Sequence, residues 1–162
     1  MDIGFFDLKH SKLGFANRDQ TGGFGSQMDA NGLVGNVIGR IKKQHSRLPV
    51  LSLAILSSIA KNHGHKTYFC EQFNGQNFDI YLVASSMAHS DFEVAECKRI
   101  KAKFPNAKVG FIGPFASEYP DVYLETADFV IVGEPEEAFE NVCATKEIKY
   151  GTIGKFSLQC QE

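Results

Sequence analysis

Three apolar runs in the second half of this chain each end in a turn of small or helix-starting residues, and this repeated junction constrains the fold most. The runs span residues 78–84, 109–112 and 129–132. The turns that follow them are Ser85-Ser86-Met87, Gly113-Pro114-Phe115-Ala116 and Gly133-Glu134-Pro135. Nearly continuous apolar runs are typical of parallel strands that helices cover on both faces. Because parallel strands end at a common edge, we expect the three turns to lie side by side at the carboxyl edge, where such sheets bind ligands.

Helical patterns occupy the intervals between these runs. Pro49 predicts the first turn of a buried helix that ends at Gly64. Ser90-Asp91-Phe92-Glu93 matches a capping box, S-x-x-E, and predicts a helix that runs to about Phe104. A short helix is expected over residues 117–125, and Pro135 followed by two glutamates predicts a last helix. The alternation of strands with helices therefore indicates an α/β class.

Two further runs, residues 3–6 and 65–70, complete a predicted sheet of five parallel strands. The expected fold is doubly wound and three-layered, Rossmann-like or flavodoxin-like, with strand order 2-1-3-4-5 and a switch point between the first and third strands. Residues 1–47 hold the first strand, a glycine-rich loop (Thr21–Ser26) and a weak helix, and belong to the same domain as the core at 48–144. Residues 145–162 are predicted to be a tail or linker, with a strand or the start of a further domain as alternatives.

Charge, hydropathy and cysteine spacing exclude several classes of function. The 162 residues carry a formal net charge of −2 and a pI of about 6.2, which predicts no nucleic-acid partner. The most apolar stretch, residues 50–60, is shorter than the ~20 residues that a membrane span needs. The chain starts without a basic region ahead of an apolar one, so no signal peptide is indicated and a cytoplasmic location is expected. The four cysteines form no CxxC pair, so free thiols are predicted and no metal site is.

Motifs of common enzyme classes are also missing from the sequence. There is no GxxxxGK[ST], no GxGxxG directly after the first strand, no GxSxG and no HExxH. Carboxylates are scattered rather than paired, and no catalytic residue is predicted. Small residues at three strand ends leave room for a flat, bulky ligand, and backbone N–H groups at helix starts can bind its polar substituents. The alternative interpretation is that these residues only form tight strand-to-helix turns.

Residues 48–142 resemble the cobalamin-binding domain that precedes the catalytic barrel in radical S-adenosylmethionine enzymes. The order and spacing of several short pieces carry the resemblance. In chain order they are Leu48-Pro49-Val50-Leu51-Ser52-Leu53-Ala54, His63-Gly64-His65, Phe78-Asp79-Ile80, Ser85-Ser86-Met87, Phe104-Pro105-Asn106-Ala107-Lys108-Val109, Gly113-Pro114-Phe115-Ala116-Ser117, Ala127-Asp128-Phe129-Val130 and Gly133-Glu134-Pro135-Glu136.

The resemblance implies a set of cofactor-binding residues. In that family the cobalamin ring lies across the carboxyl edge and its nucleotide tail enters a groove beside the sheet. Ser85, Ser86 and Met87 would then meet the tail or ring. Gly113, Pro114, Phe115 and Ala116 would line the tail groove, and Gly133 with Glu134 would close the far side.

Two departures from related cobalamin domains are visible. A D-x-H-x-x-G motif with a cobalt-binding histidine is not present, because Asp7, His10 and Gly14 have the wrong spacing. Cobalamin without a lower histidine ligand is therefore expected. His89 is a conceivable cobalt-side residue, although a role ahead of the helix cap is favoured. The usual Gly-Gly-Pro-His appears here as Ile112-Gly113-Pro114-Phe115.

The implied partner is the catalytic domain of a radical S-adenosylmethionine enzyme, in cis or in trans. The chain has no CxxxCxxC, so S-adenosylmethionine and a 4Fe-4S cluster would belong to the parent enzyme, of which this chain is expected to be a part. A methyltransferase is one option for that enzyme; substrate and reaction would lie in its catalytic part. Two alternatives stay open: a module of the same fold that lacks the cofactor and contacts a partner, and a flavodoxin-like flavin binder.

Overall fold

The computed structural model describes residues 1–8 and 50–154. One sheet of parallel strands runs through this part of the chain. Its strands are β1 (Asp2–Phe6), β2 (Lys66–Cys70), β3 (Ile80–Ala84), β4 (Lys108–Ile112), β5 (Phe129–Ile131) and β6 (Gly151–Ile153). The helices are α1 (Leu51–Asn62), α2 (Ser90–Lys103), α3 (Pro114–Glu118), α4 (Pro120–Leu124) and α5 (Pro135–Thr145), with a single 3-10 turn at Met87–His89.

The strand order is β2-β1-β3-β4-β5-β6, so the predicted parallel α/β sheet is confirmed. The predicted count of five strands is wrong, because β6 extends the sheet beyond β5. It pairs from Phe129↔Gly151 to Ile131↔Ile153, and the Val132 N–H donates to the Ile153 carbonyl at 2.8 Å. In this three-residue strand Gly151 and Ile153 are half-buried and Thr152 is exposed, so its apolar pattern is too short to be predicted. Part of the segment expected to be a tail or linker is therefore a strand.

Helices cover both faces of the sheet, because alternate strand residues point to opposite sides. One buried cluster joins Ile3 and Phe5 of β1 to Leu56 of α1 and Phe139 of α5. The other cluster contains Phe6 of β1 and side chains of α2, α3 and α4, namely Cys97, Ile100, Ala116 and Tyr123. This two-sided burial explains why β3 is apolar throughout.

Helix α1 is buried on one side only. Leu53, Leu56 and Ala60 are in the core, whereas Leu51 is 68% exposed and Ile55 is 38% exposed. The predicted buried helix is therefore buried on its inner side and exposed along its outer side. The helix ends before Gly64, whose φ of +76° supplies the expected left-handed turn. The predicted start at Pro49 lies outside the described residues.

The start of α2 differs from the predicted capping box. The N-cap position is His89, without a side-chain cap bond, and Ser90 is already helical. Glu93 is fully buried and bonds elsewhere, so the S-x-x-E match marks the start of the helix but not its cap. The helix expected at 117–125 is two short helices, α3 and α4, which Tyr119 separates.

Candidate functional site

The carboxyl edge of the sheet brings the predicted turns together. Ala84 at the end of β3 pairs with Ile112 at the end of β4. One residue further on, the Ser85 N–H donates to the Ile112 carbonyl at 2.7 Å. The turns after β3 and β4 are therefore in direct contact, and Gly133 follows the neighbouring β5. The predicted juxtaposition of the three strand ends is therefore confirmed.

Ser85 and Gly113 lie in close contact at this edge. Gly113 has φ 112° and ψ 172°, a conformation that is essentially restricted to glycine. A Cβ at this position would lie 3.1 Å from the Ser85 Oγ. The same Oγ accepts the Ala116 N–H at 3.0 Å, and Ser85 is only 3% exposed. Ser85 therefore satisfies a backbone donor in the first turn of α3 and holds that helix against the end of β3.

Ser117 makes the corresponding link between α3 and the end of β5. Its hydroxyl accepts the Gly133 N–H at 3.1 Å, and its own N–H donates to the Gly113 carbonyl at 2.9 Å. Ser117 is not among the predicted site residues, because in the sequence it is only one more small residue after Gly113-Pro114-Phe115-Ala116. The three strand ends are thus joined by two buried serine hydroxyls.

Glu93 lies beneath the turn that follows β3. Its Oε2 accepts the Ser86 N–H at 3.0 Å and the Tyr123 hydroxyl at 2.7 Å. Glu93 and Tyr123 are both 0% exposed. Tyr123 stacks on Phe111 with ring centroids 4.1 Å apart. The sequence shows this residue as part of a capping motif, and only the packing of α2 against α4 shows its actual bonds.

The predicted residues differ in what they present to a ligand. Met87 is 77% exposed, and Pro114 and Glu134 are also exposed. Ser85, Ser86 and Ala116 are buried and form the floor between them, and Gly113 and Gly133 are half-buried. The edge therefore has exposed flanks around a floor of small residues.

Phe115 packs among aromatic rings. Its ring centroid is 5.2 Å from that of Tyr119 and 6.2 Å from that of Tyr123. The side chain is half-buried against the cluster formed by α2, α3 and α4. The Phe115 ring therefore packs against the helices beside the carboxyl edge.

None of the nine predicted residues lines either of two concavities that lie in the described part of the chain. A concavity of about 420 Å³ lies at the opposite, amino edge and is bordered by Asp79, Asn106 and Lys108. Another, of about 510 Å³, lies beside Phe73 and Arg99. The glycine-rich loop Thr21–Ser26 lies outside the described residues.

Within residues 1–8 and 50–154, no group of three or more His, Cys, Asp or Glu side chains is placed to hold a metal ion. His89 is 8% exposed and occupies the N-cap position of α2, where its N–H donates to the Ser86 carbonyl at 3.4 Å. In the same part of the chain, no helix has the length and apolar character required to cross a membrane.

Comparisons of the chain with protein-family models, with curated proteins and with solved structures find no match.

Proposed function

We propose that this chain is a cobalamin-binding domain whose cofactor lies over the carboxyl edge of the sheet without a histidine ligand from the protein. The observation that supports the proposal is the contact of Gly113 with Ser85. A glycine-only backbone conformation and a buried serine bring two strand ends together without a side chain between them. Such a floor of small residues suits a large, flat ligand.

The exposed flanks define which residues would hold cobalamin. Met87 would contact the apolar surface of the ring, and Pro114 and Glu134 would border the ligand on the β4 and β5 sides. Ser85, Ser86, Gly113, Ala116 and Gly133 would form the floor. Phe115 would border the tail groove from the helical layer, since its ring packs against Tyr119 and Tyr123.

The proposed role of this chain is binding and orientation. When bound, cobalamin would supply a cobalt centre that can carry a methyl group. The residues at the edge would hold the ring over the sheet, and none of them is assigned a catalytic role. The reaction itself would belong to a radical S-adenosylmethionine domain, in cis or in trans and in the cytoplasm, which brings S-adenosylmethionine and the 4Fe-4S cluster.

The test is a titration of the folded chain with hydroxocobalamin and methylcobalamin, followed by visible absorbance and by comigration in gel filtration. We expect a spectral change with saturation. Met87→Asp should weaken cobalamin binding about tenfold, because the bound cobalamin ring would cover the introduced carboxylate and remove it from water. Ala144→Asp adds the same charge at an exposed position on the last turns of α5, far from the edge, and should bind normally. A folded chain that shows neither spectral change nor comigration at high micromolar cobalamin would contradict the proposal.

A cofactor-free contact module is the second candidate, and one observation favours it. The hydroxyls of Ser85 and Ser117 accept hydrogen bonds from the protein's own Ala116 and Gly133 N–H groups. If the titration shows no binding, and if the purified chain also lacks flavin absorbance, this candidate is favoured.

The coding sequence after Glu162 tests the proposed catalytic partner, since a CxxxCxxC motif there would identify a radical S-adenosylmethionine domain in cis.

A further inference from the structure

Glu93 is a buried carboxylate with no role in the proposed binding surface, yet it bonds directly to the loop that forms part of it. It is 0% exposed and stands in the first turn of α2. Its Oε2 accepts the N–H of Ser86, which lies between the buried Ser85 and the exposed Met87. Burial of a carboxylate is costly unless hydrogen bonds compensate for it, so these bonds are a specific requirement of this fold.

The second bond of Glu93 determines where the carboxylate can be. Tyr123 donates its hydroxyl to the same Oε2 at 2.7 Å. The Tyr123 ring stacks on the ring of Phe111, a residue of β4, with the two centroids 4.1 Å apart. The carboxylate is therefore located by α2 and α4 together, and the Ser86 N–H is bonded to an acceptor that has little freedom to move.

We infer that Glu93 is a positioning residue, which keeps the Ser85–Met87 turn in the one conformation that presents the edge to its ligand. The part of this inference that concerns the ligand rests on the proposed function. The part that concerns the position of the turn rests on the hydrogen bonds alone. Two hydrogen bonds hold the turn in place. The Ser85 Oγ accepts the Ala116 N–H of α3, and the Ser86 N–H donates to the Glu93 carboxylate of α2. The exposed Met87 follows directly from these two anchors.

The first measurement needs no ligand. Amide hydrogen exchange of Ser86 is compared in the wild type, in Glu93→Asp and in Glu93→Gln, with unfolding by urea as the check on global stability. The aspartate is one methylene shorter and should raise Ser86 exchange about tenfold. The glutamine keeps an acceptor oxygen at full reach and should keep exchange within about threefold of the wild type. Amides of β3 and β4 should keep their protection in both variants.

Glu96→Asp is the matched control. Glu96 is also buried, at 6% exposed, and lies on the same helix, but its carboxylate bonds to Arg99. It should leave Ser86 exchange unchanged. If Glu93→Asp does not fold, Tyr123→Phe gives the same test, because it removes the donor that holds Oε2 and should raise Ser86 exchange about threefold. Equal Ser86 exchange in Glu93→Asp and Glu96→Asp, or in Tyr123→Phe and the wild type, would overturn the inference.

The second measurement is the affinity of the same variants for hydroxocobalamin. We expect Glu93→Asp to bind about tenfold more weakly, and Glu93→Gln and Glu96→Asp to bind almost as the wild type does. Faster Ser86 exchange with unchanged affinity would overturn the link between the turn and the ligand. A wild type that binds no cobalamin, together with faster Ser86 exchange in Glu93→Asp, would contradict the proposed function and support the positioning of the turn.

Discussion

The ring of Phe129 on β5 lies over Gly110 on β4, its partner in the strand register, and occupies the space that a side chain would need. A Cβ on Gly110 would come within 2.1 Å of the ring. Both residues lie in the middle of the sheet and are buried. This glycine is therefore required by a neighbouring side chain and not by a turn.

Gly110→Ala should destabilise the protein by about 1–3 kcal/mol, because the added methyl forces a buried aromatic ring to move. The measurement is the free energy of unfolding from urea denaturation. Phe129→Leu opens space over Gly110 and serves as the partner in a double-mutant cycle. The double variant should be more stable than the sum of the two single changes predicts. Simple additivity would show that the two positions do not interact.

Ser85→Ala should lower the free energy of unfolding by about 1 kcal/mol, because the Ala116 N–H loses its buried acceptor. Ser58→Ala is the control, since Ser58 is exposed and its hydroxyl donates to the Ala54 carbonyl within α1. That variant should differ from the wild type by less than about 0.5 kcal/mol. Equal effects of the two serine changes would show that the Ser85 bond adds no stability.

Cys97 and Cys143 should resist alkylation in the native protein at about pH 8. Burial raises the pKa of each thiol to about 11 from an ordinary value of 9.0, so the reactive thiolate is scarce. Burial also raises the pKa of Cys70, but this residue is half-buried, so its reaction should precede theirs. Peptide mass spectrometry after treatment with iodoacetamide measures the order, and all four cysteines of the urea-unfolded chain should react.

The same thiols set a direction for the pH dependence of stability. Between about pH 9 and pH 11 the unfolded thiols ionise while the folded ones keep their protons, so the free energy of unfolding should fall as the pH rises. Urea unfolding at several pH values under reducing conditions measures this slope. Cys97→Ala should make the slope smaller. An unchanged slope in that variant would contradict the assigned effect of burial.

The position of the carboxyl edge could be predicted because it follows from local patterns. The apolar runs that end at Ser85, Gly113 and Gly133 mark three neighbouring strands, and parallel strands end on the same side. Strand β6 could not be predicted, since Gly151-Thr152-Ile153 owes its conformation to hydrogen bonds with β5. The sequence places Glu93 in a capping box for a similar reason: its spacing to Ser90 is local, whereas its bond to Tyr123 joins residues 30 positions apart.

Local sequence patterns predict the α/β class, the order of the first five strands and the small residues at their ends. These properties depend on hydrophobic runs and turn residues that act over a few neighbouring positions. The contacts that these small residues make follow from packing between elements that are far apart in the chain. Whether a serine hydroxyl faces a ligand or caps a neighbouring helix, and whether a glutamate is solvated or anchors a turn, depends on partners distant in the chain. At Ser85, Ser117 and Glu93 those partners are buried N–H and O–H groups that need an acceptor.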